Sequence, residues 1–252
     1  MIILYFSATG NSLYVAKRLG GELHSIPKLL KEGKFEFEDE KIGIVYPVYR
    51  SSVPPIVIEF LSKATLKSDY IFTVATTGHP FGITSKQMID IGKSFGINFS
   101  YTIEIGMIDN FLPDFDMQKQ IAKEPSMNID DHIDKVINDI ADKKVSTQKP
   151  SIIISLIMGK LINIKSNELG DFPNSFQIND NCNGCGLCAK VCPVDNIKVV
   201  NKCNPQYGDN CINCLACVQH CSQGAIRIKN EKGTLRFRNQ HITTKEIIDA
   251  NN

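Results

Sequence analysis

Residues Ile2 to Gly21 read IILYFSATGNSLYVAKRLGG. Met1 to Phe6 is a continuous apolar run rich in strand formers, the pattern of a parallel strand buried on both faces. Ser7-Ala-Thr-Gly-Asn-Ser12 follows with small polar residues. Leu13, Val15, Ala16 and Leu19 then recur at helical spacing until Gly20-Gly21. A helix opening directly after a strand offers free N–H groups and the positive end of its dipole, a place suited to an anion. Ser7, Thr9 and Ser12 add hydroxyl donors, and Gly10 lets the backbone approach a phosphate. Neither GxxxxGK[ST] nor GxGxxG is present, which argues against an NTPase loop and a dinucleotide fingerprint.

Further strands are predicted over Glu22–Ile26, Ile42–Tyr46, Ile71–Thr76 and Asn98–Met107. Helices are predicted over Val53–Leu61, with Pro54 and Pro55 in the first turn, Ile83–Phe95 and Met127–Lys144. Alternating strands and helices imply crossovers and a parallel sheet covered on both faces. Five strands of this kind suit an α/β, doubly wound, flavodoxin-like sheet, in which ligands bind beyond the carboxyl ends of the strands. The alternation breaks after Ser146, and a packing helix is expected over Ser151–Ile164. The chain is divided into a sheet domain (1–147), a helical linker (148–175), a cysteine-rich domain (176–230) and a tail (231–252).

All nine cysteines of the 252 residues lie between Cys182 and Cys221. No basic leader precedes the first strand, and the run Ile152–Ile164 is interrupted by Gly159 and Lys160 and is too short to span a bilayer. These cysteines are read as thiolates in a reducing cytoplasm rather than as disulfides. A net charge of +1 argues against a nucleic-acid surface.

The cysteines form a repeat. Asp180-Asn181-Cys182 matches Asp209-Asn210-Cys211, 29 residues on, and Cys185, Cys188 and Cys192 match Cys214, Cys217 and Cys221. Two copies of one unit imply a small α+β pseudo-twofold domain with two metal centres. The spacing C-x2-C-x2-C-x3-C wraps soft thiolates around an Fe–S cube, and Gly184, Gly186, Ala189 and Ala216 allow close approach. Zinc ribbons do not use this spacing. Pro193 follows the first run, whereas Ser222 stands in the matching place of the second. Cys203 is read as a free thiol. The radical-SAM spacing CxxxCxxC is absent.

This spacing resembles the bacterial two-cluster ferredoxins, in which the fourth cysteine of each run ligates the other cluster. The resemblance implies two [4Fe-4S] clusters, one on Cys182, Cys185, Cys188 and Cys221, the other on Cys192, Cys211, Cys214 and Cys217. The stretch FSATGNS in turn resembles the FMN-phosphate loop of flavodoxins. Two further loops match theirs in place: YPVYRSSVPP after the third strand and TTGHPFG after the fourth. This resemblance implies FMN held by Ser7, Thr9, Gly10, Asn11 and Ser12, by Pro47, Val48, Tyr49, Arg50 and Ser51, and by Thr76, Thr77, Gly78 and His79. Tyr49 is the leading candidate to stack on the ring, with His79 and Phe81 behind it, since the chain has no tryptophan.

Together the halves resemble the flavodoxin–ferredoxin fusion proteins of anaerobic bacteria and archaea, as do Asp109-Asn110-Phe111 and the tail RFRNQHITTKEII (Arg236–Ile248). That family implies an electron-transfer flavoprotein in which the clusters connect a protein redox partner to the flavin. A second reading is a flavin-dependent reductase of a small-molecule acceptor, with His79 or Tyr49 as proton donor. Direct oxidation of a nicotinamide cofactor is disfavoured because no second nucleotide fold is present. The sequence leaves the oligomeric state open, a dimer included. The loop after the third strand lacks glycine and carries Arg50, a cation that favours the anionic, fully reduced ring. A flavin bound there is expected to take electrons in pairs; a redox titration with a broad one-electron plateau would overturn this.

Overall fold

A computed structural model describes residues 1–151, 175–200 and 204–252. The helix expected over Ser151–Ile164 lies, apart from Ser151 itself, outside the described residues, as does Cys203. The elements run β1 (Ile2–Tyr5), α1 (Asn11–Leu19), β2 (Glu22–Ser25), α2 (Ile26–Glu32), β3 (Glu36–Glu38), β4 (Lys41–Pro47), α3 (Pro55–Lys63), β5 (Thr65–Lys67), β6 (Tyr70–Thr77), α4 (Ile83–Ser94), β7 (Tyr101–Gly106), α5 (Met117–Ile121), α6 (Ile129–Ala141) and β8 (Ser146–Thr147). The cysteine region follows with β9 (Phe176–Ile178), α7 (Leu187–Lys190), β10 (Ile197–Val200), β11 (Asn204–Tyr207), α8 (Ala216–Gln219) and β12 (Ile226–Ile228), and the chain ends in α9 (Thr244–Asn251).

The central sheet is parallel throughout, in the order β2-β1-β4-β6-β7-β8. Its first five members reproduce the doubly wound, flavodoxin-like order. The sequence reading of five strands is corrected to six among the described residues, because Ser146–Thr147 pairs with Tyr101–Thr102. Two residues are too few to show a period-2 pattern. The short parallel pair β3 and β5 was also invisible to periodicity. The fifth strand begins at Tyr101 rather than at Asn98.

Alternation along the strands sends side chains to two helical layers. Ile3, Tyr5, Val45, Phe72 and Val74 pack with α1 and α6. Leu4, Phe6, Ile44, Tyr46 and Ala75 pack with α2, α3 and α4. Gly43, in the middle of β4, is required by crowding: a Cβ there would meet the Phe72 ring at 2.3 Å and Ile3 at 2.8 Å. The switch point lies between β1 and β4, where the strand order reverses, and the loops at their carboxyl ends open there.

The cysteine region carries two antiparallel strand pairs, β10 with the next strand β11, and β9 at its start with β12 near its end. The 29-residue repeat is written into the backbone. Left-handed φ angles recur at Gly184 and Asn213, at Gly186 and Leu215, and at Asp195 and Gly224. One member of each pair is glycine, the residue for which this conformation is free of strain. Leu215 accepts it while burying its side chain.

The tail does not trail away. Ile242, Ile247 and Ala250 join the core on the α1 side of the sheet. Ser25 donates its hydroxyl to the Ala250 carbonyl, and Asn251 donates to the Val191 carbonyl in the cysteine region at 2.8 Å. Helix α9 starts with a capping box between Thr243 and Glu246. The Lys17 ammonium, 2.6 Å away, and the Thr243 donors hold the Glu246 carboxyl at about 2, below its usual 4.5. A depressed acid stabilises fully above the unfolded value and loses that contribution as pH falls towards the folded one. Glu246→Gln should therefore cost about 1 kcal/mol at neutral pH, limited by solvent screening of a part-exposed pair. Urea unfolding of the variant should show a flatter loss of stability between pH 4.5 and 2.

Candidate functional site

The loop at the end of β1 is built to leave donors free. Gly10, at φ 104°, ends the loop, and no side chain caps α1. The first N–H groups of that helix therefore face the switch point unsatisfied by side chains. Ser7 Oγ accepts from the Gly10 N–H at 3.2 Å, and Thr9 Oγ1 accepts from Asn110 Nδ2 at 2.8 Å. Each hydroxyl keeps its own proton to donate. Ser12 and Thr76 share one hydrogen bond at 2.8 Å, which leaves one further O–H between them. An anion such as a phosphate meets an uncapped helix start and at least three hydroxyl protons here.

A cavity of about 1560 Å³ opens over this loop. Every residue named from sequence for the flavin lines it except Gly10. Gly10 turns instead against the tail: a Cβ there would meet Asn239 at 2.8 Å and Ile242 at 3.0 Å. The Asn239 N–H donates to the Thr9 carbonyl at 2.8 Å, and its side chain donates to Asn11 at 3.1 Å. Sequence reasoning noted the tail only as a resemblance; its place over the loop comes from long-range packing.

The second loop makes a two-residue turn. Tyr49 and Ser52 exchange N–H···O bonds of 3.0 and 2.9 Å, with Arg50 and Ser51 at φ 52° and 61°. This is the primed hairpin geometry that favours Asn-Gly. Arg50 is exposed. Tyr49 is half-buried and lines the cavity; its ring packs edge-on to Phe6 at 5.9 Å, and its hydroxyl is buried. The third loop is anchored by Glu104, whose buried carboxylate accepts N–H bonds from Gly82, Thr84 and Ser85 at 2.7 to 3.0 Å. That charge occupies the positive end of α4. His79 is exposed, between Phe81 and Phe115, with Nδ1 3.9 Å from Asp109 Oδ2. Burial raises the Asp109 carboxyl above its ordinary value. Phe81 is exposed.

The thiols sort into two groups. Cys182, Cys185, Cys188 and Cys221 surround one small cavity. Burial pushes the Cys188 thiol up to about 11, with its three partners adding smaller upward shifts. Cys192 instead neighbours Cys211, Cys214 and Cys217, whose thiols burial also raises. Backbone N–H groups serve the sulfurs in register: Asn196 donates to Cys192 and Ala225 to Cys221, both at 3.3 Å. Thiolates are soft ligands and bind metal with loss of their protons, so two groups of four cysteines are a donor set that fits iron–sulfur clusters.

The two halves meet at the cavity. Cys211, Ile212, Asn213, Cys214 and Leu215 line it from the far side, and Cys214 packs with Tyr49 against both layers of the sheet's core. The Gln219 side chain donates to the Asn110 carbonyl at 2.8 Å, and the His220 Nε2–H to the Ala8 carbonyl at 3.0 Å. Burial lowers His220 to about 4, so at neutral pH it is an uncharged strut. Sequence reasoning missed both residues, which carry no motif.

The family described as "4Fe-4S dicluster domain" matches residues 175–236. Comparison with curated proteins returns no match. Solved structures similar to parts of the chain include a candidate flavoprotein from Bacteroides uniformis (15% identity, TM-score 0.34, covering 47% of this chain and 93% of that one). Another is a candidate flavoprotein from Bacteroides eggerthii (18%, 0.32, covering 51% and 97%). A third is the Trp repressor binding protein of Bacillus subtilis (12%, 0.32, covering 42% and 85%). Such scores add nothing to the topology read from the strand order. No helix among the described residues is long and apolar enough to cross a membrane.

The strained turn yields a test. Ser51→Gly removes a side chain from a left-handed position and should raise the free energy of unfolding by about 1 kcal/mol in chemical denaturation. The chain thus joins a flavodoxin-like α/β sheet to a segment, residues 175–236, that matches the 4Fe-4S dicluster domain.

Proposed function

We propose that this protein is an electron relay in which two [4Fe-4S] clusters exchange electrons with FMN bound in the large cavity. On this reading residues 1–147 hold the flavin, 148–175 connect, 176–230 hold the clusters and 231–252 tie the two parts together. The outer cluster takes Cys182, Cys185, Cys188 and Cys221; the inner one takes Cys192, Cys211, Cys214 and Cys217. The flavin phosphate takes the α1 N-terminus with Ser7, Thr9 and Ser12, and the ring lies between the loops at Tyr49 and at His79. Bound FMN supplies one- and two-electron chemistry; each cluster passes single electrons.

The observation that carries this reading is the shared lining of one cavity by the phosphate loop and by Cys211 and Cys214. It supports a short inner-cluster-to-flavin path. Cys185 is exposed, which supports the outer cluster as the face offered to a low-potential protein partner. With clusters and flavin phosphate aboard, the protein is more negative than its formal +1. A reducing cytoplasm of anaerobic metabolism suits such centres.

A second reading has its own support. The cavity exceeds the roughly 300–1,000 Å³ of ordinary ligand pockets. His79 and Asp109 at its edge are groups able to hold a proton near a small acceptor.

Anaerobic reconstitution followed by donor and acceptor panels separates the two. Reoxidation by protein acceptors alone supports the relay; turnover of a small acceptor supports the reductase. In either case Cys192→Ser should lower bound iron from about eight to about four per chain. It should also slow flavin reduction through the clusters at least tenfold while leaving FMN bound. Loss of the outer cluster instead would show that Cys192 serves its own run.

A further inference from the structure

The repeat offers an internal comparison. Cys185 and Cys214 occupy equivalent places, 29 residues apart. Cys185 is exposed. Cys214 is packed against the sheet's core together with Tyr49. The Tyr49 hydroxyl is buried and has no hydrogen-bond partner among the described residues. A buried hydroxyl left without one costs about 1–3 kcal/mol, so the site asks for an acceptor. The cysteine close enough to act electrostatically on this phenol is Cys214. The edge-on contact of the Tyr49 ring with Phe6 and the hydrogen-bonded turn to Ser52 hold it in place.

We infer that the Tyr49 hydroxyl donates a hydrogen bond to a sulfur of the inner cluster, at or beside Cys214, and thereby sets that cluster's potential apart from the outer one. This rests on the ligand sets proposed above. Hydrogen bonds to cluster sulfurs and exposure to solvent are the levers by which a protein moves such potentials. The outer position has solvent at Cys185. The inner one is drier, and dryness alone disfavours the more negative, reduced cluster. A donated O–H acts in the opposite sense and stabilises the reduced state. A phenol is protonated at neutral pH, so the donor is always present. Tyr49 comes from the sheet and not from the cysteine region, which makes the inner potential depend on the docking of the two parts. Its ring also lines the flavin cavity, so one side chain touches both ends of the proposed inner step.

The experiment is an anaerobic, EPR-monitored redox titration of the full, reconstituted chain, wild type against Tyr49→Phe, with iron and labile sulfide measured on both. The expected result is unchanged iron and one cluster shifted to lower potential. The shift should be about tenfold in its reduction equilibrium, or about 59 mV for one electron, with the other cluster unmoved. Two unmoved potentials, or two that fall together, overturn the inference while the ligand sets stand. A wild-type chain that loads fewer than two clusters overturns the ligand sets and this inference with them. If Tyr49→Phe does not load, 3,5-difluorotyrosine at position 49 keeps the hydroxyl and makes it a stronger donor. It should raise the same single potential, and no rise overturns the inference.

Discussion

The arrangement depends on how Ala216–His220 seats against the first loop of the sheet. His220 donates to the Ala8 carbonyl, and Gln219 bridges Asn110 and the Phe237 N–H. The bonds to the Ala8 carbonyl and from the Phe237 N–H are buried, so breaking either leaves an unpaired polar group in a dry place and costs the desolvation of that group. Apolar packing of Ala216 and Val191 against the core beneath α1 reinforces them. Because of this seat the second run of cysteines closes over the cavity, and the loop after β1 is held from above before any ligand arrives.

The same docking makes the two thiol groups unequal. Their backbones repeat, down to the left-handed positions, so the local sequence treats them alike. The sheet does not. It buries Leu215, leaves Cys214 half-buried against the core and leaves the equivalent edge at Cys185 open. Burial raises thiol pKa values and weakens any charged state, while N–H and O–H donors act the other way. A near-symmetric pair thus becomes a directed one, with an outward member and a member facing the cavity.

Much of the fold was legible because its periods are clean. Strands buried on both faces read as unbroken apolar runs, as in Met1–Phe6 and Ile71–Thr76, and the helices between them carried a 3.6-residue rhythm. The 29-residue cysteine repeat was legible because ligand spacing is a local property. The strands at Glu36–Glu38, Thr65–Lys67 and Ser146–Thr147 were not, being too short to show a period. The neighbours of Tyr49 were not legible either: Phe6 and Cys214 come to it from opposite parts of the chain, which no local pattern announces.

The sequence by itself determined the strand order class, the anion-ready start of α1 and the chemistry of eight thiols, since each follows from residues near one another along the chain. Only the tertiary structure decided which cysteines face the cavity, that the tail clamps Gly10 through Asn239, and that His220 holds an uncharged bond to the first loop. Those outcomes rest on contacts between residues more than two hundred positions apart. Such contacts depend on how two apolar surfaces dock, and no local pattern of residue types encodes the geometry of that docking.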